Sequence, residues 1–213
     1  MFEIPDDLHP DCLPLAWLLG RWEGAGVGEY PTVEAHRFGQ EITFGYVPGH
    51  AFLTYASRAW ALDEHGQLTE PLNQETGYWR PAGEGSAEVV MTHPAGVVEV
   101  YIGEVESAKI ELATRGVLKT ETAPDYRTGH RLYGLVNGRL MYVYEVSAEG
   151  APLQPRMSAE LQRVAGARDV RETVPEGVAV PDGTPPGSTT PGSTTNGDGS
   201  GPSSSGPSES APE

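Results

Sequence analysis

The feature that most constrains the fold is a run of about ten short segments in which apolar and polar residues alternate. Ile42 and Phe44, for example, share one face of such a segment, with polar Glu41 on the other. The segments are separated by turn-forming residues. Among these, Asn137-Gly138 is typical of a two-residue hairpin, because both residues must adopt positive φ. The sequence therefore predicts an all-β fold of sequential antiparallel strands.

Strands of this spacing form either a sandwich or an up-and-down barrel. The glycine-rich segment 20–32 favours the barrel, because Gly24, Gly26 and Gly28 leave one face of a strand bare and allow it to bend at a corner or to be approached closely by a backbone or a flat ligand. A barrel of about ten strands is wide enough to hold a small ligand. Pro10 and Pro14 limit the preceding apolar segment to a short 3-10 turn, which we expect to cover one end.

Composition sets the domain boundaries and excludes several classes of partner. We predict a flexible N-terminus at 1–8, a barrel at 9–165 and a disordered acidic tail rich in Gly, Pro, Ser and Thr at 166–213. The formal net charge of -16 disfavours binding to nucleic acids or anionic membranes. The single cysteine, Cys12, and an acidic N-terminus unlike a signal peptide predict a cytoplasmic protein. We interpret Cys12 itself as a small, partly buried apolar residue.

Four motifs in order identify a family. They are the run 18–32, which contains Gly20, Trp22, Gly24 and Gly26 as G-x-W-x-G-x-G, then Gly-Tyr-Trp-Arg at 77–80, Gly-Val-Val-Glu-Val at 96–100 and Pro-Leu-Gln-Pro-Arg-Met-Ser-Ala at 152–159. With these motifs the chain resembles the nitrobindin family over residues 9–164. The resemblance implies a haem-binding β-barrel related in shape to lipocalins and fatty-acid-binding proteins.

The resemblance also implies a function and a site. Family members hold ferric haem b near the mouth of the barrel, bind nitric oxide and are credited with isomerising peroxynitrite to nitrate. Thr32 matches a residue that contacts the haem in this pattern. Arg156, however, stands where the pattern has the axial histidine. Iron needs a lone pair from its ligand, whereas a guanidinium carries only donors and a fixed positive charge.

Other candidate ligands match the pattern less well. We expect His9, His50, His65 and His93 to be solvated loop histidines, because each lies beside Pro or Gly at a predicted strand end or turn. His36 and His130 lie on or near strands and are open alternatives. Met157 is disfavoured, because adjacent strand residues point to opposite faces and Met157 would then face away from the position of Arg156. No motif for a metal ion site is present in the sequence, and we predict no metal site and no catalytic residue.

Three hypotheses follow. In the first, the chain is a binding module that lacks the axial histidine, and Arg156, if it faces inward, pairs with the anionic group of a small ligand, such as a carboxylate or a porphyrin propionate. In the second, it is an enzyme that holds haem through another ligand and isomerises peroxynitrite. In the third, it has no ligand, and Arg156 pairs with a local acid such as Glu160. We expect no cofactor, haem b only if another ligand exists, and leave enzymatic activity and homodimerisation open.

Overall fold

The computed structural model describes residues 3–83 and 85–173. Within these ranges ten strands follow one another, each antiparallel to the next. The strands are β1 (Gly20–Tyr30), β2 (Val33–Tyr46), β3 (Leu53–Leu62), β4 (Leu68–Pro81), β5 (Ser86–His93), β6 (Val97–Glu106), β7 (Lys109–Lys119), β8 (Tyr126–Val136), β9 (Arg139–Ala148) and β10 (Gln154–Ala165). Because β10 pairs with β1, the sheet closes on itself. The predicted ten-stranded antiparallel barrel is confirmed.

The alternation in the sequence sets which side chains enter the barrel. In β9, Leu140, Tyr142 and Tyr144 point inward and are buried, while the residues between them are more exposed. The turn before β9 has the predicted geometry, since Asn137 and Gly138 adopt φ angles of 52° and 77°. Each hairpin thus fixes the register that carries its apolar face into the core.

A 3-10 helix at Pro10–Leu18 covers the end of the barrel where β1 begins. Its residues Leu15 and Leu18 are buried. The indole Nε1–H of Trp22, at the start of β1, donates to the carbonyl oxygen of Leu18 at 2.7 Å. The predicted short N-terminal helical turn is confirmed, and Trp22 is a core residue that joins this helix to the barrel wall.

The groups that approach the glycine-rich strand closely belong to neighbouring strands of the barrel. A Cβ at Gly26 would collide with the carbonyl oxygen of Ser158 on β10 and with the ring of Phe38 on β2. The bare face of β1 therefore lets β10 and an aromatic side chain pack against it. Aromatic rings also pack against one another in the barrel interior. The ring of Trp79 packs edge-on against Phe44 and Tyr133, each with centroids 5.3 Å apart.

Residues before and after the predicted 9–165 barrel also make hydrogen bonds with it or with each other. Asp7 accepts hydrogen bonds from the hydroxyl of Tyr46 and from Nε of Arg171, both at 2.8 Å. A second 3-10 helix spans Ala167–Val170. Most of the predicted tail lies outside the described residues, and the domain boundaries remain predictions. Across residues 3–83 and 85–173, no helix is long and apolar enough to span a membrane.

Candidate functional site

A cavity of about 330 Å³ lies at the barrel end opposite the N-terminal helix. This volume is at the lower end of the range of small-molecule sites. Strand ends and the connecting loops contribute its lining, which consists of Glu29, Tyr30, Val33, His36, Leu72, Asn73, Glu75, His93, Ala95, Val97, Pro124, Asp125, Tyr126, Tyr144, Ala148, Glu149, Arg156 and Met157. We call it the mouth cavity.

Arg156 lines the mouth cavity with its guanidinium over an aromatic ring. The guanidinium carbon lies 5.1 Å from the ring centroid of Tyr30, which is within the range of a cation–π contact. The Tyr30 hydroxyl is fixed in turn by Ala148, whose N–H donates to it at 2.9 Å and whose carbonyl oxygen accepts from it at 3.1 Å. The orientation of Arg156, left open by the sequence, is toward the cavity.

A bulge in β10 explains this orientation. Pro155 pairs with Glu145 and Met157 with Tyr144, so the register of β10 against β9 skips Arg156. An extra residue in one strand breaks the alternation of faces. As a result Arg156 and Met157 both line the mouth cavity. The expectation that Met157 faces away from the Arg156 position was wrong, because the alternation rule assumes a regular strand.

The structure contradicts the proposed ion pair between Arg156 and Glu160. Glu160 pairs instead with Arg139, with Nη1 and Oε1 2.8 Å apart. Within the described part of the chain, Arg156 forms no ion pair. A guanidinium at a cavity wall without a carboxylate partner is available to an anionic ligand.

The acidic groups at the rim are mostly occupied. Glu149 accepts a hydrogen bond from the hydroxyl of Thr32, and Asp125 accepts from Arg127 at 3.1 Å and from Lys119 at 3.5 Å. Thr32 is itself exposed and does not line the cavity. Its contact with a ligand remains a prediction, and the contact that the structure gives it is with a rim residue.

A buried ion-pair network forms the floor of the mouth cavity. The guanidinium of Arg131 donates to both carboxylate oxygens of Glu75, at 2.8 and 3.0 Å, and its carbon lies 3.9 Å from the ring centroid of Tyr144. Glu75 also accepts from the hydroxyl of Tyr55 at 3.0 Å. Burial alone would raise the pKa of Glu75, but the charge and hydrogen bonds of Arg131, with His93 and Tyr55, lower it to about 2.

Glu99 joins the same network and is completely buried. It accepts hydrogen bonds from Tyr101 at 2.5 Å, from Tyr126, and from Nε2 of His93 at 2.7 Å. Burial opposes ionisation of Glu99, but the hydrogen bond of His93, the charge of Arg131 and the tyrosine hydroxyls together lower its pKa. The floor therefore holds ionised carboxylates whose donors all come from the protein.

His93 was expected to be a solvated turn residue, and this was wrong. Its side chain is 11% exposed, and its second ring nitrogen lies 3.8 Å from a carboxylate oxygen of Glu75. The expectation holds for His65, whose side chain is 77% exposed. His130 bridges Glu145 and Glu111 on the barrel surface, with ring nitrogens 2.9 and 3.1 Å from their oxygens.

His36 has a different arrangement at the wall of the mouth cavity. Its Nδ1 lies 2.9 Å from the carbonyl oxygen of Glu34. Because a carbonyl can only accept, Nδ1 carries the proton, and Nε2 of the neutral ring keeps its lone pair. Two imidazoles line the mouth cavity, and that of His36 on β2 is not engaged by a carboxylate, whereas that of His93 is. The guanidinium of Arg156 on β10 has no lone pair to give a metal.

Sequence reasoning missed the floor network, although a signal was present. Glu99 shares one face of its strand with Val97 and Tyr101, and Arg131 shares one face of its strand with Tyr133. Each charged residue therefore lies on an otherwise apolar face. A charged residue at an inward position of a barrel strand must find a buried partner. Each strand alone could not identify that partner, because Glu75 and Arg131 are 56 positions apart.

Comparison with known proteins identifies the family. The profile of the THAP4-like, heme-binding beta-barrel domain matches residues 11–163. The chain belongs to this family. The match confirms the resemblance to the nitrobindins, and it spans the ten strands up to most of β10.

Relatives and a solved structure agree with this assignment. A peroxynitrite isomerase of Nocardioides sp. is 48% identical over 162 residues, covering 76% of this chain and 98% of the relative. A ferric nitrobindin-like protein of Streptomyces griseus is 45% identical over 184 residues, covering 85% and 96%. The crystal structure of Rv2717c from M. tuberculosis superposes with a TM-score of 0.67 at 35% identity, covering 74% and 99%.

Proposed function

We propose that this chain is a binding protein whose mouth cavity holds a small, largely apolar molecule by its anionic group, with Arg156 as the anchor. One observation carries the proposal. The guanidinium of Arg156 lies at the cavity wall, 5.1 Å from the Tyr30 ring centroid, and has no ion-pair partner among the residues described. A carboxylate is the group that a guanidinium binds with matched, paired hydrogen bonds.

The apolar character of the ligand follows from the charge of the protein. With a net charge of -16 the chain repels small hydrophilic anions at a distance. Affinity must then come from burial of apolar surface against lining residues such as Leu72, Val97 and Met157. Arg156 would add orientation and the local positive charge that an anionic group needs.

Arg156 also determines what β10 can offer to an iron atom. By the resemblance, Arg156 occupies the position of the family's axial histidine, and a guanidinium has no lone pair to give. We therefore propose that β10 supplies no iron ligand in this chain. A haem, if it is the ligand, would meet Arg156 through a propionate.

Binding of iron-free protoporphyrin IX tests the anchor without any contribution from iron. We expect saturable quenching of protein fluorescence with the native chain. Arg156→Gln should weaken binding about 10–100-fold, which is the effect of losing a charge-assisted pair. Arg139→Gln changes the net charge equally on the barrel surface and should leave binding intact. Equal affinities of the native chain and Arg156→Gln would overturn the proposal.

A second candidate function is isomerisation of peroxynitrite on ferric haem. Two observations favour it: the name of the Nocardioides relative at 48% identity, and the imidazole of His36 at the cavity wall. The test is the rate at which peroxynitrite decays to nitrate when protein incubated with haemin is mixed rapidly with it. A rate above that of free haemin supports this candidate, and a rate equal to it removes the candidate.

A further inference from the structure

His36 and Met157 stand on either side of Gly28 in one row across three strands. Gly28 pairs with His36 on β2 and with Met157 on β10. Residues paired in register on neighbouring strands share a face of the sheet, and both side chains line the mouth cavity. Gly28 contributes no side chain, so the row has a gap at its centre.

The imidazole of His36 leans into this gap. A Cβ at residue 28 would lie 2.9 Å from both Cε1 and Nε2 of the ring. The ring edge that carries Nε2 is therefore turned over β1, on the cavity side of the wall. The other ring edge is held by the hydrogen bond from Nδ1 to the Glu34 carbonyl oxygen at 2.9 Å.

This hydrogen bond fixes both the tautomer and the direction of the ring. A histidine that ligates a metal commonly donates its other N–H to a backbone carbonyl or a carboxylate, which orients the ring and makes it more basic. Nε2 of His36 has no hydrogen-bond partner in the part of the chain that the structure describes. It is a free lone pair beside a cavity.

The other histidines differ from His36 in this respect. His93 is the second cavity histidine, but its Nε2 is engaged by Glu99 at 2.7 Å and its Nδ1 faces Glu75. Both ring nitrogens of His130 are bound to carboxylates outside the cavity. His36 is thus the cavity histidine whose ring nitrogen is available to a ligand.

The number of possible protein ligands around His36 favours iron held in a macrocycle over a bare metal ion. Over residues 3–83 and 85–173, no group of three or more His, Cys, Asp and Glu residues could hold a metal ion. One imidazole is too few protein ligands for a bare ion, but it suffices for iron already held in a macrocycle, as in proteins with a proximal histidine. The family to which the chain belongs binds heme.

We infer that His36 is the axial ligand of this chain for the iron of a haem-type molecule, so that the ligand comes from β2 and not from β10. The inference rests on the proposed function, because Arg156 would pair with a propionate of the same molecule. It gives the cavity two anchors of different chemistry, one for the anionic group and one for the metal.

Titration with haemin, followed by absorption and electron paramagnetic resonance spectra, tests this inference. The native chain should give a histidine-ligated ferric spectrum. His36→Gln should lose this spectrum and weaken haemin binding more than about tenfold. His130→Gln, a matched variant outside the cavity, should keep both. In His36→Ala, added imidazole should restore the histidine-type spectrum of the haemin that elutes with the protein in gel filtration, and the circular dichroism spectrum of the same fraction shows whether this variant is folded.

The two proposals can fail separately. If His36→Gln leaves the haemin spectrum of the native chain unchanged, or if the native chain shows no histidine-type spectrum, the role of His36 is overturned while the anchor at Arg156 can still stand. If Arg156→Gln does not weaken binding of iron-free protoporphyrin IX, the anchor is overturned whatever haemin does.

Discussion

The imidazole of His36 occupies the space that a side chain at Gly28 would need, with Cε1 and Nε2 each 2.9 Å from the position of a Cβ there. The two residues are paired in register on adjacent strands. The glycine-rich strand therefore shapes the mouth cavity at one residue, by admitting an aromatic ring. Its other glycines serve packing within the barrel wall.

Gly28→Ala should lower the free energy of unfolding by about 1 kcal/mol or more, because the added methyl forces the His36 ring to move. Gly116→Ala is the matched control. It also lies in a strand, but a Cβ there meets nothing within 4 Å. That variant should be neutral or more stable by a few tenths to about 1 kcal/mol. Urea denaturation measures both, and equal destabilisation of the two would contradict the packing of His36 on Gly28.

Arg131→Met should destabilise the barrel by about 3–5 kcal/mol, because it leaves the buried carboxylates of Glu75 and Glu99 without their guanidinium. Arg139→Met, which breaks the exposed pair with Glu160, should cost at most about 1 kcal/mol. Denaturant unfolding of both variants measures the difference. A similar small loss in each would show that the floor network contributes no more than a surface pair.

The stability of the barrel should fall in acid through Glu75. Its pKa is about 2 in the folded protein, against an ordinary value of 4.5. Because the folded value is the lower one, its contribution is present above about pH 4.5 and is lost as the pH falls toward 2.

Comparison with Glu75→Gln isolates the contribution of Glu75 to the pH dependence of stability. The free energy of unfolding of the native chain should drop more steeply below pH 4.5 than that of Glu75→Gln, by up to about 1.4 kcal/mol per pH unit for one carboxyl group. The variant should be less stable at neutral pH but flatter in acid. Parallel curves would mean that Glu75 does not titrate below its ordinary range.

Cys12 should react with thiol reagents only after unfolding. It is completely buried, and burial, with the nearby charge of Asp11, raises the pKa of its thiol to about 11. Since the chain has a single cysteine, the rate of labelling reports opening of the helix-covered end. A fast, stoichiometric reaction in native buffer would contradict the packing of Cys12.

The sequence predicted the fold well because strand alternation and turn residues are local signals. Asn137-Gly138 gave the hairpin, and the alternation at Leu140 and Tyr142 gave the buried face. The direction of Arg156 could not be predicted in this way. It depends on a bulge against β9, which is a property of two strands in register. Pro155 in β10 is compatible with a bulge but does not fix its position.

The candidate site was predicted only in part for a similar reason. Arg156 was singled out by its place in the family pattern, where a histidine is expected, and the structure places it at the cavity. His93 was assigned to solvent from its neighbour Pro94, yet Glu99 and Glu75 draw it inward from β6 and β4. Such partners are defined by the register of neighbouring strands, so residues read one segment at a time do not reveal them.

A thermodynamic cycle on the anchor tests the proposed function most directly. The affinities of the native chain and Arg156→Gln are measured for protoporphyrin IX and for its neutral dimethyl ester. If Arg156 binds the carboxylate, the substitution weakens binding of the acid about 10–100-fold and changes binding of the ester less than about threefold. Equal losses for acid and ester, or no loss for either, would contradict an anionic-group anchor at Arg156.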